Sequence, residues 1–331
     1  GEVLLEEGPL LRVLLQAESE AEYTRCIRAA AEALPAGDLE ELLDLACVTL
    51  ERTPEGVFQG NHFEVDGARV VYRRISRLNH SCRPNCAHSF DRQRGVGIIR
   101  ALRALEVGEE LSLTYTELRA PRVARQQYLL QVYGFVCACE ACSPCDAHSD
   151  QRRELLHSCC EALVPRGPVV QMYNLAGHDA ELEGAFLKGK ALAEALEARA
   201  LGLRLAALAL RLLAEEELEG AGDAAGHACE CATFLLAGHP EAQMLWADEC
   251  LRFLSLGGSP TDAANMRRGL DNIRRLPPLL PGLPPETAPE VLDPGKIARH
   301  GIEAQTLDEA RASLQRLHEL FDCSVAANAL G

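Results

Sequence analysis

Three stretches concentrate residue types able to hold a metal and to handle a cationic group. Leu78 to Cys86 reads Leu-Asn-His-Ser-Cys-Arg-Pro-Asn-Cys and places an amide, an imidazole and two thiols within nine residues. Gly108 to Tyr115 reads Gly-Glu-Glu-Leu-Ser-Leu-Thr-Tyr, and Tyr133 to Cys142 reads Tyr-Gly-Phe-Val-Cys-Ala-Cys-Glu-Ala-Cys. Cys137-x-Cys139-x2-Cys142 offers three thiolates in six residues. Structural zinc takes four ligands and favours sulfur, so this spacing implies a fourth ligand from elsewhere. Cys145 is a local candidate, and Cys82 and Cys86 are distant ones. The plainer alternative is small buried thiols without metal. The other cysteines, such as Cys159-Cys160 and Cys229/Cys231, fall in helical segments and read as packing residues. Out of context, Tyr115 and Tyr133 would be core aromatics with wet hydroxyls, and Asn79-His80-Ser81 a satisfied polar turn.

The elements that must position these residues fall into two textures. Val3-Leu4-Leu5 and Leu10 to Leu15 read as strands around a Gly8-Pro9 turn. Residues 18 to 34 and 38 to 52 are helical by periodicity, with Asp38 as an N-cap. From Val57 to Arg103 short β runs follow: Phe63/Val65, Val70-Val71-Tyr72, Cys86 to Phe90 and Val96 to Ile99, the last two joined by an Asp91-Arg92-Gln93-Arg94-Gly95 hairpin turn. Leu111 to Tyr115 is a further strand, and residues 121 to 132 a helix with Pro121 near its start. Beyond Asp150 the chain is rich in Ala, Leu and Glu. Residues 151–163, 179–219, 223–237, 241–256 and 260–275 read as helices parted by Gly or Pro, successive pairs suggesting a solenoid-like stack. Residues 277–295 form a Pro-rich linker and residues 296–331 closing helices.

With 331 residues, 47% hydrophobic and 25% charged, the composition is that of a globular chain able to bury a substantial core. The run Ala200 to Ala214 is too short to span a bilayer. Fourteen cysteines without a secretory signal favour thiols and metal over disulfides. A net charge of −16 argues against direct nucleic-acid binding. Between Arg69 and Arg103 stand nine Arg and one acid, Asp91, a local balance of +8 that leaves −24 for the rest. Such an acidic body would attract a basic partner, although acids also simply keep a helical protein dispersed.

Taken together, Asn61-His62-Phe63, Ser76 to Asn85, Val107 to Tyr115 and Tyr133 to Cys142 resemble the SET-domain protein lysine methyltransferases, and among them the SMYD-type group. The likeness covers about the first 145 residues; the helical remainder is similar only in general character. The resemblance implies an α+β fold: a SET β-fold over 1–120 with a helical insert at about 18–52, a pseudoknot of the Asn-His-Ser-Cys and Tyr115 segments, and a post-SET zinc segment at 121–148. An all-α region over 149–276 would follow. It implies that Asn61, Ser76, Asn79, His80, Tyr115, Tyr133 and Phe135 contact S-adenosylmethionine, with Phe135 packing on the adenine. Tyr115 and Tyr133 would be the catalytic pair, Tyr115 beside the transferring methyl and Tyr133 lining a lysine channel. Cys82 would join Cys137, Cys139 and Cys142 on structural zinc, leaving Cys145 spare.

The expected function is S-adenosylmethionine-dependent methylation of a protein lysine, on a histone tail or another basic peptide, by a monomer in the cytoplasm or nucleus. The alternative from another class is a non-catalytic, zinc-stabilised scaffold whose helical half binds a basic peptide. Two departures from the family pattern stand out. Its opening Gly-x-Gly turn would fall ahead of Gly1-Glu2, so the sequence begins too late to contain it. Its Cys- and His-rich MYND insertion is also absent, because Leu15 to Val57 holds only Cys26 and Cys47.

Overall fold

The computed structural model describes residues 1–143, 147–163, 190–218, 222–236, 238–258, 260–275, 294 and 304–329. Two units divide them: Gly1–Leu118, Arg122–Cys145 and Leu256–Thr261 in the first, Arg119–Pro121, Asp146–Ser255 and Asp262–Gly331 in the second. In chain order the first unit runs β1 Val3–Glu7, β2 Leu11–Leu14, α1 Glu20–Glu32, α2 Ala36–Leu43, α3 Pro54–Asn61, β3 Phe63–Val65 and β4 Ala68–Val71. A 3-10 turn at Ile75–Arg77 follows, then β5 Asn79–His80, β6 Cys86–Asp91, β7 Val96–Ala101, β8 Ser112–Leu113 and α4 Arg122–Tyr133.

The strands make two antiparallel sheets, ordered β1-β7-β6 and β2-β4-β3, and one parallel pair, β5-β8. Local chemistry sets both hairpins. Asp66 and Gly67 take φ of 46° and 70°, giving the two-residue turn whose twist suits a β-hairpin, and Val65 then pairs with Ala68. At the other hairpin Asp91 Oδ1 accepts from the N–H of Gln93 at 2.9 Å and of Arg94 at 3.1 Å, closing the expected turn. Alternation along β2 buries Leu11 and Val13 and exposes Arg12 and Leu14. Those two join Ile27, Leu42, Val57 and Phe58 in one core cluster; Val65, Val70, Tyr72, Ile75, Cys86, Ile99 and Leu113 form a second.

Two expectations need correcting. The helix expected over 38–52 with Asp38 as its N-cap starts at Ala36 after Pro35, puts Asp38 in its first turn, and stops at Leu43. Arg52 turns back and donates to the carbonyls of Leu43 and Leu45, taking acceptors that a continuing helix would need. The β texture expected from Val57 begins instead with α3. Thr53 caps that helix, accepting from Gly56 N at 3.2 Å, and Pro54 occupies its first turn. Burial of Val57 and Phe58 outweighs their strand preference.

Most of the arginines of the run 69–103 pair with acids. Arg69 pairs with Glu64, Arg73 with Asp38 and Glu41, Arg77 with Asp44, Arg94 with Glu6 and Arg103 with Glu109.

The described part of the second unit is helical: α5 Ala147–Leu163, α6 Lys190–Glu215, α7 Gly222–Leu235, α8 Pro240–Gly257, α9 Pro260–Arg274 and α10 Ala304–Ala329. Helices α5, α6, α7 and α10 pack on one another. Behind α6, fully buried Glu216 accepts from Arg152 Nε at 2.5 Å, Arg153 Nε at 3.0 Å and Ser149 Oγ at 2.5 Å. Cys159, Cys160, Cys229 and Cys231 are buried in these helices, as packing residues would be. Cys145, the start of the helix expected over 179–219 and most of the Pro-rich stretch 277–295 lie outside the described residues. Among the described residues no helix is long and apolar enough to cross a membrane.

Candidate functional site

The site is assembled on the parallel pair. Asn79 aligns with Ser112 and His80 with Leu113, and Ser81 N donates to Leu113 O at 2.9 Å. Two residues of backbone pairing could not hold this crossing alone. Asn85, 3% exposed, supplies the remainder. Its Nδ2 donates to Glu109 Oε1 at 2.8 Å and Glu110 O at 2.9 Å, while its Oδ1 accepts from Ser112 N at 2.8 Å and Ser112 Oγ at 3.3 Å. A buried amide with donor and acceptor halves both satisfied locks one register. In the sequence Asn85 is no more than the last residue of the stretch Ser76 to Asn85. Its hydrogen bonds reach 24 to 27 residues along the chain, beyond any local pattern.

On this frame the side chains of His80, Tyr115, Tyr133 and Phe135 meet. Ring centroids are 5.0 Å apart for Tyr115–Tyr133, 5.4 Å for His80–Tyr115, 6.1 Å for His80–Phe135 and 6.4 Å for Tyr133–Phe135. Tyr128 extends the group, its ring 6.3 Å from that of Tyr133, and went unnoticed in the sequence because it lies mid-helix without a motif. Gly134 makes the turn that sends Tyr133 and Phe135 to one place: at φ +75° it ends α4, donating from its N–H to Leu130 O at 3.1 Å. All four rings are partly exposed, so this aromatic group opens to solvent.

Tyr115 Oη donates to Leu78 O at 2.5 Å, which leaves its lone pairs available. Burial, with Tyr133 alongside, raises its pKa to about 12, so the phenol stays protonated at neutral pH. Burial likewise raises the pKa of Tyr133. His80 is committed within the chain. Its Nδ1 accepts from Tyr115 N at 3.1 Å, so Nε2 carries the hydrogen and points it at Cys82 Sγ, 3.3 Å away. Burial lowers the His80 pKa to about 4 and keeps the ring neutral. A ligand here would therefore meet the ring face or the backbone of His80. Exposed Asn79 donates from Nδ2 to Glu110 Oε1 at 2.6 Å.

The side chains of Asn61 and Ser76 are both bonded to backbone, and Ser76 reaches the segment of Asn61. Asn61 Nδ2 donates to Ala46 O at 2.6 Å and Val57 O at 2.7 Å. The Ser76 hydroxyl donates to Asn61 O at 2.8 Å and accepts from Tyr72 N at 3.0 Å. Ser76 is spent on backbone in both directions, so its visible work is to join α3 to the 3-10 turn.

Behind the rings the sulfurs of Cys82, Cys137, Cys139 and Cys142 all lie within 4.8 Å of one another. Zinc–sulfur bonds of about 2.3 Å in a tetrahedron put sulfurs about 3.8 Å apart, so this set fits a zinc ion with a small contraction. Each sulfur also faces an N–H donor: Cys139 N to Cys137 Sγ at 3.4 Å, Cys82 N to Cys139 Sγ at 3.4 Å, and Arg125 Nε to Cys82 Sγ at 3.3 Å and Nη2 to Cys142 Sγ at 3.9 Å. Donors directed at sulfur favour thiolates, the form that binds metal. Hydrogen bonds from Cys142 and Cys82 hold Cys139 far below the usual thiol range. Cys82 is pushed up, first by its hydrogen bonds to Cys139 and Cys142 and then by burial, and burial raises Cys137 to about 12. Cys86, once an equal candidate for the fourth ligand, is buried in the second core cluster.

Fold and site together define a SET domain. Residues 1–116 match the SET domain family. Among the relatives, the histone-lysine N-methyltransferase set5 of Schizosaccharomyces pombe is 35% identical over 89 residues, 27% of this chain and 28% of that protein. Human histone-lysine N-methyltransferase SMYD3 is 39% identical over 80 residues, 24% of this chain and 18% of its own length. Human protein-lysine N-methyltransferase SMYD4 is 36% identical over 118 residues, covering 33% and 14%. The chain thus carries an N-terminal SET domain with SMYD-type and histone-lysine methyltransferase relatives, and it spans less than a third of the length of these curated proteins.

Proposed function

We propose that this protein transfers a methyl group from S-adenosylmethionine to a lysine side chain of a protein substrate. The observation that supports the reading most is the meeting of Tyr115, Tyr133, Phe135 and His80 on the β5–β8 crossing, beside a cysteine cluster suited to zinc. The methyl donor, when bound, supplies an activated methyl on a sulfonium. What remains for the protein is to present a neutral amine in line with that methyl, and positioning supplies much of the rate.

Each residue has a distinct task in this account. The faces of Tyr115 and Tyr133 attract the approaching lysine cation, and their apolar bodies lower its pKa so that it gives a proton to solvent water; the neutral nitrogen would then bond the methyl carbon as the carbon–sulfur bond breaks, leaving a thioether. Tyr115, held by Leu78 O and protonated, accepts from or orients the amine and does not act as a base. Phe135 offers a flat apolar surface for an adenine, and the exposed Asn79 amide, next to Glu110, suits the donor's amino-acid end. The cysteine cluster would hold zinc as a structural ion; with four protein sulfurs it has no open position for catalysis. A basic substrate segment, such as a histone tail, suits the overall acidity of the chain, and cytoplasm or nucleus suits such a substrate.

The test is calorimetry with S-adenosylmethionine on the full chain, followed by methyl transfer to lysine-rich proteins with Tyr115→Phe alongside. Binding heat, and a loss of about a hundredfold or more in turnover for the variant, are expected. Absence of both binding and Tyr115 dependence would leave a non-catalytic scaffold.

A further inference from the structure

The helix α4 carries more than the channel tyrosine at its end. Arg125, Leu129 and Tyr133 are spaced four residues apart, so they lie along one face. Arg125 is 1% exposed and spreads its guanidinium over two sulfurs of the cluster, Cys82 and Cys142. Beside it Gln126 closes a two-bond ring with the cysteine loop: its Nε2 donates to Cys137 O at 2.6 Å, and its Oε1 accepts from Cys137 N at 2.8 Å. Leu129, fully buried, packs among the same cysteines, and Tyr133 packs against their cluster.

We propose that Arg125, seconded by Gln126, is the positioning residue that ties metal occupancy of the cysteine cluster to the placement of Tyr133. Four thiolates on Zn²⁺ leave a net charge of −2, which burial makes costly unless a cation lies against it. Arg125 is that cation. Its planar fork reaches two sulfurs at once, which a lysine ammonium would do less well. The contact is direct on both sides: the guanidinium of Arg125 lies against the sulfurs of Cys82 and Cys142. Loading the metal therefore seats the helix, and the helix sets the ring at its far end. This inference rests on the zinc reading of the cluster.

The full-length chain is loaded with zinc, and its affinity is read by competition with a chromophoric chelator. Cobalt replaces zinc in parallel to give a thiolate-to-metal charge-transfer band. Fluorotyrosine labelling gives a fluorine resonance for Tyr133, identified with Tyr133→Phe. Arg125→Met should weaken zinc binding by about 10- to 100-fold, move the cobalt band, and shift or broaden the Tyr133 resonance. Arg125→Lys should recover much of the affinity. Should Arg125→Met fail to fold, Gln126→Ala and chelator-stripped wild type take its place, and both should move the Tyr133 resonance. Zinc affinity of Arg125→Met within a factor of about two of wild type would overturn the proposal, as would a Tyr133 resonance indifferent to stripping. A wild-type chain that binds no zinc would overturn the zinc reading itself, a different failure.

Discussion

Replacing Asn85 with Asp keeps the shape and the acceptor half of the residue and deletes only its donor half. In the native crossing Nδ2 serves Glu109 Oε1 and Glu110 O. The bond to the carboxylate contributes about 1.5–3 kcal/mol and the bond to the carbonyl about 0.5–1.5 kcal/mol, so their loss costs about 2–4.5 kcal/mol. A second carboxylate against Glu109 adds to that. Against a domain stability of about 5–15 kcal/mol this is a large fraction, and at about 3 °C per kcal/mol it lowers the melting point by about 6–14 °C. The spectroscopic probes report the two units separately. Five of the six tyrosines, Tyr23, Tyr72, Tyr115, Tyr128 and Tyr133, lie in the first unit, whereas the single tryptophan, Trp246, is buried in α8 of the second. Near-ultraviolet tyrosine dichroism should therefore show the drop. A tyrosine transition within about 2 °C of wild type would refute the claim that Asn85 holds the crossing.

Other outcomes follow from the same structure. Gly134→Ala places a side chain at φ +75° and should cost about 1–2 kcal/mol; the tyrosine transition and the Tyr133 fluorine resonance both read it. Hydrogen bonds from Arg103, the Glu106 N–H and Asn85 lower the Glu109 carboxyl pKa to about 2. Its stabilising contribution is thus complete above the ordinary carboxylate range near 4.5 and is lost as pH falls through about 2; a carbon-13 titration of that carboxyl should find the low midpoint. Glu216→Gln leaves Arg152 and Arg153 facing a neutral amide in a buried site, and should cost about 3–5 kcal/mol in the transition read by Trp246 fluorescence.

Much of the fold was legible where the cause is local. The Asp91–Gly95 turn, the Ala/Leu/Glu-rich helices and the C-x-C-x2-C spacing each express chemistry contained in a few neighbouring residues. The helix α3 was readable as well, since Thr53-Pro54-Glu55 is a helix-start signal, but the β-branched and aromatic content of Val57 and Phe58 pointed the other way. What stayed hidden depends on distance along the chain. No spacing rule separates Cys82 from Cys86 or Cys145 as the fourth thiol; the chain path that brings Cys82 to within bonding range of Cys142 does so. Asn85, Arg125 and Gln126 are ordinary polar residues in the sequence, and each takes its meaning from a partner 11 to 43 residues away. Charge pairing was hidden in the same way: most of the arginines between 69 and 103 meet acids brought to them by the fold.

The central claim is that the protein methylates lysine at the aromatic group on the β5–β8 crossing. Its most direct measurement is mass spectrometry of lysine-containing proteins, a histone among them, incubated with the full chain and S-adenosylmethionine. Wild type should add methyl groups to lysine residues, and Tyr115→Phe, folded by its tyrosine and tryptophan spectra, should add about a hundredfold fewer. Methylation that persists undiminished in the Tyr115→Phe protein would contradict the account.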